Sequence, residues 1–130
     1  GMDIEANRKI AIDLMTSMST GDVERADKIL AEDATWWVLG SGYMARSALL
    51  DASRFMSAAP RAKLEIVATT AEKDRVAMEA KGDFLFDDGK EYKNTYHFLF
   101  IVRDGKVVEG KEYLDTALVE RVFGKAEAQA

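Results

Sequence analysis

The chain has 130 residues, 48% of them hydrophobic, with one proline and no cysteine. That length fits one domain able to bury roughly two-thirds of its unfolded surface, and the lack of cysteine excludes disulfides, thiolate nucleophiles and Cys-type zinc sites. Lys and Arg number 18 against 23 Asp and Glu, a net charge of −5, which argues against a sequence-independent nucleic-acid binder.

No stretch approaches the roughly 18 consecutive apolar residues of a membrane helix. The segment Gly1-Met2-Asp3-Ile4-Glu5 lacks the basic and apolar regions of a signal peptide. Gly1 reads as a remnant of tag removal. The expectation is a cytoplasmic protein with one domain over residues 2–123 and a frayed, Ala-rich tail over 124–130.

Apolar residues spaced by three, four and seven predict a helix over residues 4–18, capped by Asp3 and ended at Thr20-Gly21. Asp22 caps a second helix whose apolar face holds Val23, Ala26, Ile29 and Leu30. Residues 35–39 read as a strand carrying Trp36 and Trp37, followed by the loop Gly40-Ser41-Gly42. A third helix covers 46–59 and stops at Pro60. Beyond Pro60 the apolar period changes from about 3.6 to 2. Strands are expected over 64–70, 76–86, 91–102 and 107–118, joined by the tight separators 71–74, 87–89 and 103–105, so neighbours pair antiparallel. Helices first and an antiparallel meander afterwards make an α+β fold. The expected architecture is a cone of three N-terminal helices on a curved, mostly antiparallel sheet that encloses an apolar pocket.

Asp87-Asp88-Gly89 and Arg103-Asp104-Gly105 each suit a three-residue hairpin loop with Gly in the left-handed position. That assumption sets Ala80 opposite Tyr96, Gly82 opposite Asn94, Glu112 opposite Tyr96 and Leu114 opposite Asn94. It also puts Val76, Met78, Ala80, Gly82, Val108 and Gly110 on the inward face. A two-residue turn at Asp88-Gly89 would instead exchange the faces of the strand over 76–86. On the inward face Glu112, Tyr96 and Asn94 are out of place in a plain core. A buried carboxylate must be hydrogen-bonded, protonated or set against a pocket. The expected site is therefore Glu112 and Tyr96 as catalytic groups, with Asn94, Trp36, Met78, Phe98, Leu114 and Asp115 as ligand contacts. Asp115 has a competing reading, bonding to nearby backbone at the sheet end. One histidine and no cysteine cannot make a typical zinc site, so no metal and no cofactor are expected. His97 reads as a surface or interface residue, Ser41 has no triad partners, and Gly40-Ser41-Gly42 lacks the flanks of a phosphate loop. On the outer face Leu99, Ile101, Tyr113 and Trp37 suggest a homodimer.

The element order, Gly21-Asp22-Val23-Glu24 followed by Asp33-Ala34-Thr35, and the run from Lys93 to Phe100 continuing to Glu112-Tyr113-Leu114-Asp115 resemble the SnoaL-like polyketide cyclases. These belong to the nuclear-transport-factor-2-like, ketosteroid-isomerase-like superfamily. The resemblance spans residues 4–120 and implies a cone fold with an apolar pocket, a small polyketide-like ligand, and an acid/base residue at Glu112 or Asp115. It does not imply a reaction, because the superfamily hosts isomerases, cyclases, epoxide hydrolases, dehydratases and non-enzymes. Ketosteroid isomerase uses an Asp base with an oxyanion hole made of a Tyr and a protonated Asp. The corresponding positions here hold Val38, Leu14 and Phe98, so that mechanism is excluded. The remaining functions are a cofactor-independent enzyme using Glu112, a non-catalytic binding module, and a dimerisation domain.

Overall fold

The computed structural model describes residues 3–124. In chain order it contains α1 (Ile4–Thr20), α2 (Val23–Ile29), β1 (Leu30–Val38), β2 (Gly42–Met44), α3 (Arg46–Ser57), β3 (Arg61–Glu72), β4 (Arg75–Leu85), β5 (Glu91–Arg103), β6 (Lys106–Leu114) and α4 (Thr116–Phe123). The strands form one six-stranded sheet in the order β2-β1-β6-β5-β4-β3. It is mixed, because β1 runs parallel to β6 while the other pairs are antiparallel. The fold is α+β, with helices packed on the sheet.

Capping defines the helix starts. The Asp3 carboxylate accepts from Ala6 N at 3.0 Å and the Asp22 carboxylate from Arg25 N at 3.2 Å, satisfying N–H groups that have no partner inside the helix. Gly21 ends α1 at φ 85°, a left-handed C-cap that glycine adopts without steric penalty. From α1, Ala11, Leu14, Met15 and Met18 are buried against the sheet face that carries Val76, Met78, Phe98 and Phe100. Ser53 of α3 donates to Met18 O at 2.7 Å, tying α3 to the end of α1. Arg46 donates to Asp27 O at 2.7 Å and to Ala31 O at 3.0 Å, closing the carbonyl end of α2 with a cation.

Several expected boundaries move. Four helices are present among the described residues, not three. The strand expected over 107–118 ends at Leu114, because Asp115 caps α4 by accepting from Leu118 N at 3.2 Å. The loop at 40–42 is a turn that leads into β2 at Gly42, and β1 begins at Leu30, where α2 stops. Of the expected tail, Gly124 is exposed and residues 125–130 lie outside the described part.

The two hairpins differ. Asp87-Asp88-Gly89 is a three-residue loop: Phe86 N donates to Lys90 O at 2.9 Å and Gly89 has φ 87°. Ala80 therefore faces Tyr96 and Gly82 faces Asn94, and β4 turns Val76, Met78, Ala80, Gly82 and Phe84 inward. In the second hairpin Arg103 pairs with Lys106, leaving a two-residue loop of Asp104 at φ 51° and Gly105 at φ 75°. Two positive φ values mark a type I′ turn, whose twist matches the strands. A bulge follows, since Val102 pairs with Val107 but Ile101 with Glu109. The turn and the bulge each shift the register by one residue. Partners therefore change while faces beyond the bulge are kept: Glu112 stands opposite Phe98 rather than Tyr96, and Leu114 opposite Tyr96 rather than Asn94. Val107 is fully buried, and Val108, expected inward, is the half-buried bulge residue.

Candidate functional site

A cavity of about 300 Å³ lies between the inward sheet face and the helices. Methionines 15 and 18 of α1 and Met56 of α3 cover one side, and Leu39, Ser41 and Gly42 of the β1–β2 turn form part of the rim. Tyr92, Tyr96 and Phe98 of β5 and Glu112 and Leu114 of β6 form the sheet wall. Thr116, Val119, Glu120 and Phe123 bring one face of α4 over the opening. At i, i+3, i+4 and i+7 these positions are a helical stripe. The stripe and the Asp115 cap are the signals that distinguish α4 from a continued strand.

Glu112 is a carboxylate in a wall of apolar groups. Its Oε1 accepts from the Trp36 indole Nε1 at 3.1 Å. No buried side-chain oxygen or nitrogen lacks a hydrogen-bond partner among the described residues. Oε2, which has no such partner there, is therefore open to the cavity that Glu112 lines. Burial among apolar groups disfavours the charged form and raises the carboxyl pKa to about 7, with the Trp36 N–H acting in the opposite direction. Protonated and ionised Glu112 thus coexist near neutrality.

Tyr96 stands two residues from Phe98 on the same face, its ring stacked on the Phe98 ring at 5.3 Å. Burial, the neighbouring Tyr92 phenol and Glu112 all push its pKa up, so the hydroxyl stays a neutral donor. Gly82 makes room for it, because a Cβ there would stand 2.9 Å from Tyr96 Cε2 and from Phe84 Cε2. Tyr92 is also raised by burial, and its interactions with Tyr96 and Asn94 pull it partly back.

Of the eight residues named from sequence, Glu112, Tyr96, Phe98 and Leu114 stand on the cavity wall, and the other four do not. Trp36 is buried behind the wall, since Gly110 leaves a slot for its indole. Met78 is fully buried in the core. The Asn94 side chain clamps the sheet end: its Nδ2 donates to Tyr92 Oη at 2.9 Å and to Asp115 O at 3.1 Å, while its Oδ1 accepts from Asp115 N at 3.1 Å. These bonds commit the amide to backbone and to Tyr92. Asp115 is exposed and occupied as the α4 cap. Tyr92, Phe84, the methionines and α4 are wall elements that sequence reasoning missed. Among the described residues no three His, Asp or Glu side chains are grouped to hold a metal ion, and no helix is long and apolar enough to cross a membrane.

Residues 11–110 match the model of the SnoaL-like domain. The chain belongs to the SnoaL-like domain family. No functionally curated protein matches it. Among solved structures this SnoaL-like domain is similar to an NTF2-like protein from Burkholderia xenovorans LB400, at 24% identity and a TM-score of 0.72 over 94% of this chain and 98% of that one. It is also similar to a protein assigned as a SnoaL-like polyketide cyclase from Jannaschia sp. CCS1, at 16% identity and a TM-score of 0.78 over 95% and 98% of the two chains. An LEH-like epoxide hydrolase from M. tuberculosis gives 14% identity and a TM-score of 0.78 over 96% and 95%. At these identities the likeness carries the fold. Within the SnoaL-like domain, Val38 lies on the cavity wall and pairs with Glu112 across β1 and β6.

Proposed function

We propose that this SnoaL-like domain is a cofactor-independent acid–base enzyme that moves a proton on a small, mostly apolar carbonyl compound held in the cavity. The observation that carries this reading is the Glu112 carboxyl: one oxygen is fixed by Trp36, the other is open to an apolar cavity, and burial holds its pKa at about 7. General acid–base catalysis works best when the pKa lies near the operating pH. Ionised Glu112 takes a proton from the carbon beside the ligand carbonyl. The Tyr96 hydroxyl donates to the carbonyl oxygen, where negative charge develops. Glu112 then returns the proton to a different carbon of the conjugated enolate, giving an isomer. Alternatively the enolate carbon attacks a second carbonyl carbon of the same ligand, whose C=O π bond opens to an alkoxide that takes the proton from Glu112, giving a ring. The methionine side chains on the wall adapt to the ligand outline. A cavity of about 300 Å³ is at the small end of ligand pockets.

A thermal-shift screen of polyketides, terpenoids and steroids tests the binding half of the proposal. Ligands should raise the melting temperature of the wild-type protein and lose most of that effect in Glu112→Gln and Tyr96→Phe. A screen in which no such compound stabilises the protein contradicts it. A non-catalytic binding module would instead keep its ligand and show no proton transfer. The outer sheet face supports a homodimer: Trp37 and Tyr113 meet there at 5.3 Å between ring centroids, and Tyr113 is exposed beside half-buried Leu99.

A further inference from the structure

Trp36 and Gly110 face each other across the parallel β1–β6 pair. A Cβ on Gly110 would collide with Cζ3 and Cε3 of the indole, so the ring lies against bare β6 backbone. Phe98 and Phe100 hold it from β5, with ring centroids 6.2 and 6.0 Å away. Trp36 is 1% exposed, and close packing on every side holds the ring in place. Glu112 is two residues beyond Gly110 on the same strand, and therefore on the same face. The indole N–H meets its Oε1 there.

We propose that Trp36 is a positioning residue that reserves Glu112 Oε1 as a hydrogen-bond acceptor, so that Glu112 exchanges its proton with the cavity through Oε2 alone. This inference rests on the acid–base reading of Glu112. An indole N–H is a donor only. Oε1 accepts from it best when Glu112 is ionised or protonated on Oε2, whereas a proton on Oε1 would leave the N–H only the weaker hydroxyl oxygen as acceptor. The transferred proton therefore leaves the ligand carbon for Oε2 and returns from Oε2, with no net change in the enzyme. The other titratable groups on the cavity are Tyr92 and Tyr96 from β5 and Glu120 from α4. The α1 and α3 surfaces contribute only Met, Leu, Ala and Ser there. Burial keeps both phenols neutral. The Trp36 bond favours the carboxylate and offsets part of the effect of burial.

Two tryptophans in the chain make the test direct. In ¹⁵N-labelled protein, the Trp36 indole resonance should move between pH 5 and 9 with a midpoint near 7, and the movement should vanish in Glu112→Gln. The Glu112 carboxyl, followed by ¹³C, should titrate higher in Trp36→Phe by about one pH unit or more, as expected for losing a hydrogen bond to a charged group. Gly110→Ala should reproduce that shift, because it evicts the indole by a different route. An indole resonance that stays flat in the unaltered protein overturns the inference, even if both variants fail to fold. So does a Glu112 titration unchanged in two folded variants. A titrating indole in a protein whose Glu112→Gln variant transfers protons as well as wild type would sink the acid–base reading alone. A flat indole in a protein whose activity depends on Glu112 would sink this inference alone.

Discussion

Trp36 and Glu112, 76 residues apart in sequence, meet across two parallel strands, with the indole Nε1 donating to the carboxyl Oε1 at 3.1 Å. The pair sets a pH dependence of stability. The folded pKa of Glu112, about 7, lies above its ordinary value of 4.5. Below pH 4.5 the group is protonated in both states and its full contribution is present. As pH rises from 4.5 to about 7 the unfolded chain releases the proton and the folded chain keeps it, so stability falls. Glu112→Gln should remove that slope and stabilise the protein by about 2 kcal/mol at pH 8, with little change at pH 4. Urea denaturation at the two pH values checks it; equal effects at both would contradict the assignment.

Asn94 holds the end of β6 and the start of α4 through both backbone groups of Asp115, and it also donates to Tyr92. Asn94→Ala leaves those part-buried groups without their side-chain partner and should destabilise the fold by about 1–3 kcal/mol. Amide exchange over residues 117–123 should accelerate more than exchange in α1. Uniform acceleration across the molecule would show that Asn94 is not a local clamp.

Gly82→Ala pushes a Cβ into the ring edges of Tyr96 and Phe84. Both are side-chain ends that can move, so the expected destabilisation is about 1–3 kcal/mol, with a larger proportional loss of ligand-induced thermal shift. Melting curves with and without ligand separate the two effects. A variant that binds as well as wild type would remove Tyr96 from the site.

The outer face should pair two copies. Light scattering is expected to give twice the 14.4 kDa chain mass, and Tyr113→Lys should return it to the single-chain value by placing a charge in the contact. A wild-type mass of one chain at micromolar concentration contradicts the dimer.

Much of this fold is legible in the sequence because its signals are local. The change of apolar period at Pro60, the Asp3 and Asp22 caps and the Gly89 turn each act within a few residues. Facing on β6 is legible although its register is not, because the Asp104-Gly105 turn and the Val108 bulge shift the strand by one residue each and parity returns. The Trp36–Glu112 bond is not legible. It depends on β1 lying parallel beside β6, a pairing between distant segments that no turn records. Helix α4 is hidden differently: Leu118, Val119, Val122 and Phe123 are residues that also suit a strand, and the decisive spacing from Thr116 to Phe123 overlaps that run. Asn94 faces inward as expected yet spends its amide on backbone, which alternation along a strand does not reveal.

In the proposed chemistry Glu112 moves a proton within the apolar cavity. Deuterium exchange at the carbon beside the carbonyl, followed by NMR for a panel of cyclic apolar ketones in D₂O, tests it most directly. Wild-type protein should accelerate exchange of at least one ketone, with a rate that rises with pH to a plateau around a midpoint near 7, as the carboxylate form accumulates. Glu112→Gln should lower that rate by about 100-fold or more. Exchange that matches buffer for every ketone, or that is the same in Glu112→Gln as in wild type, would contradict the claim.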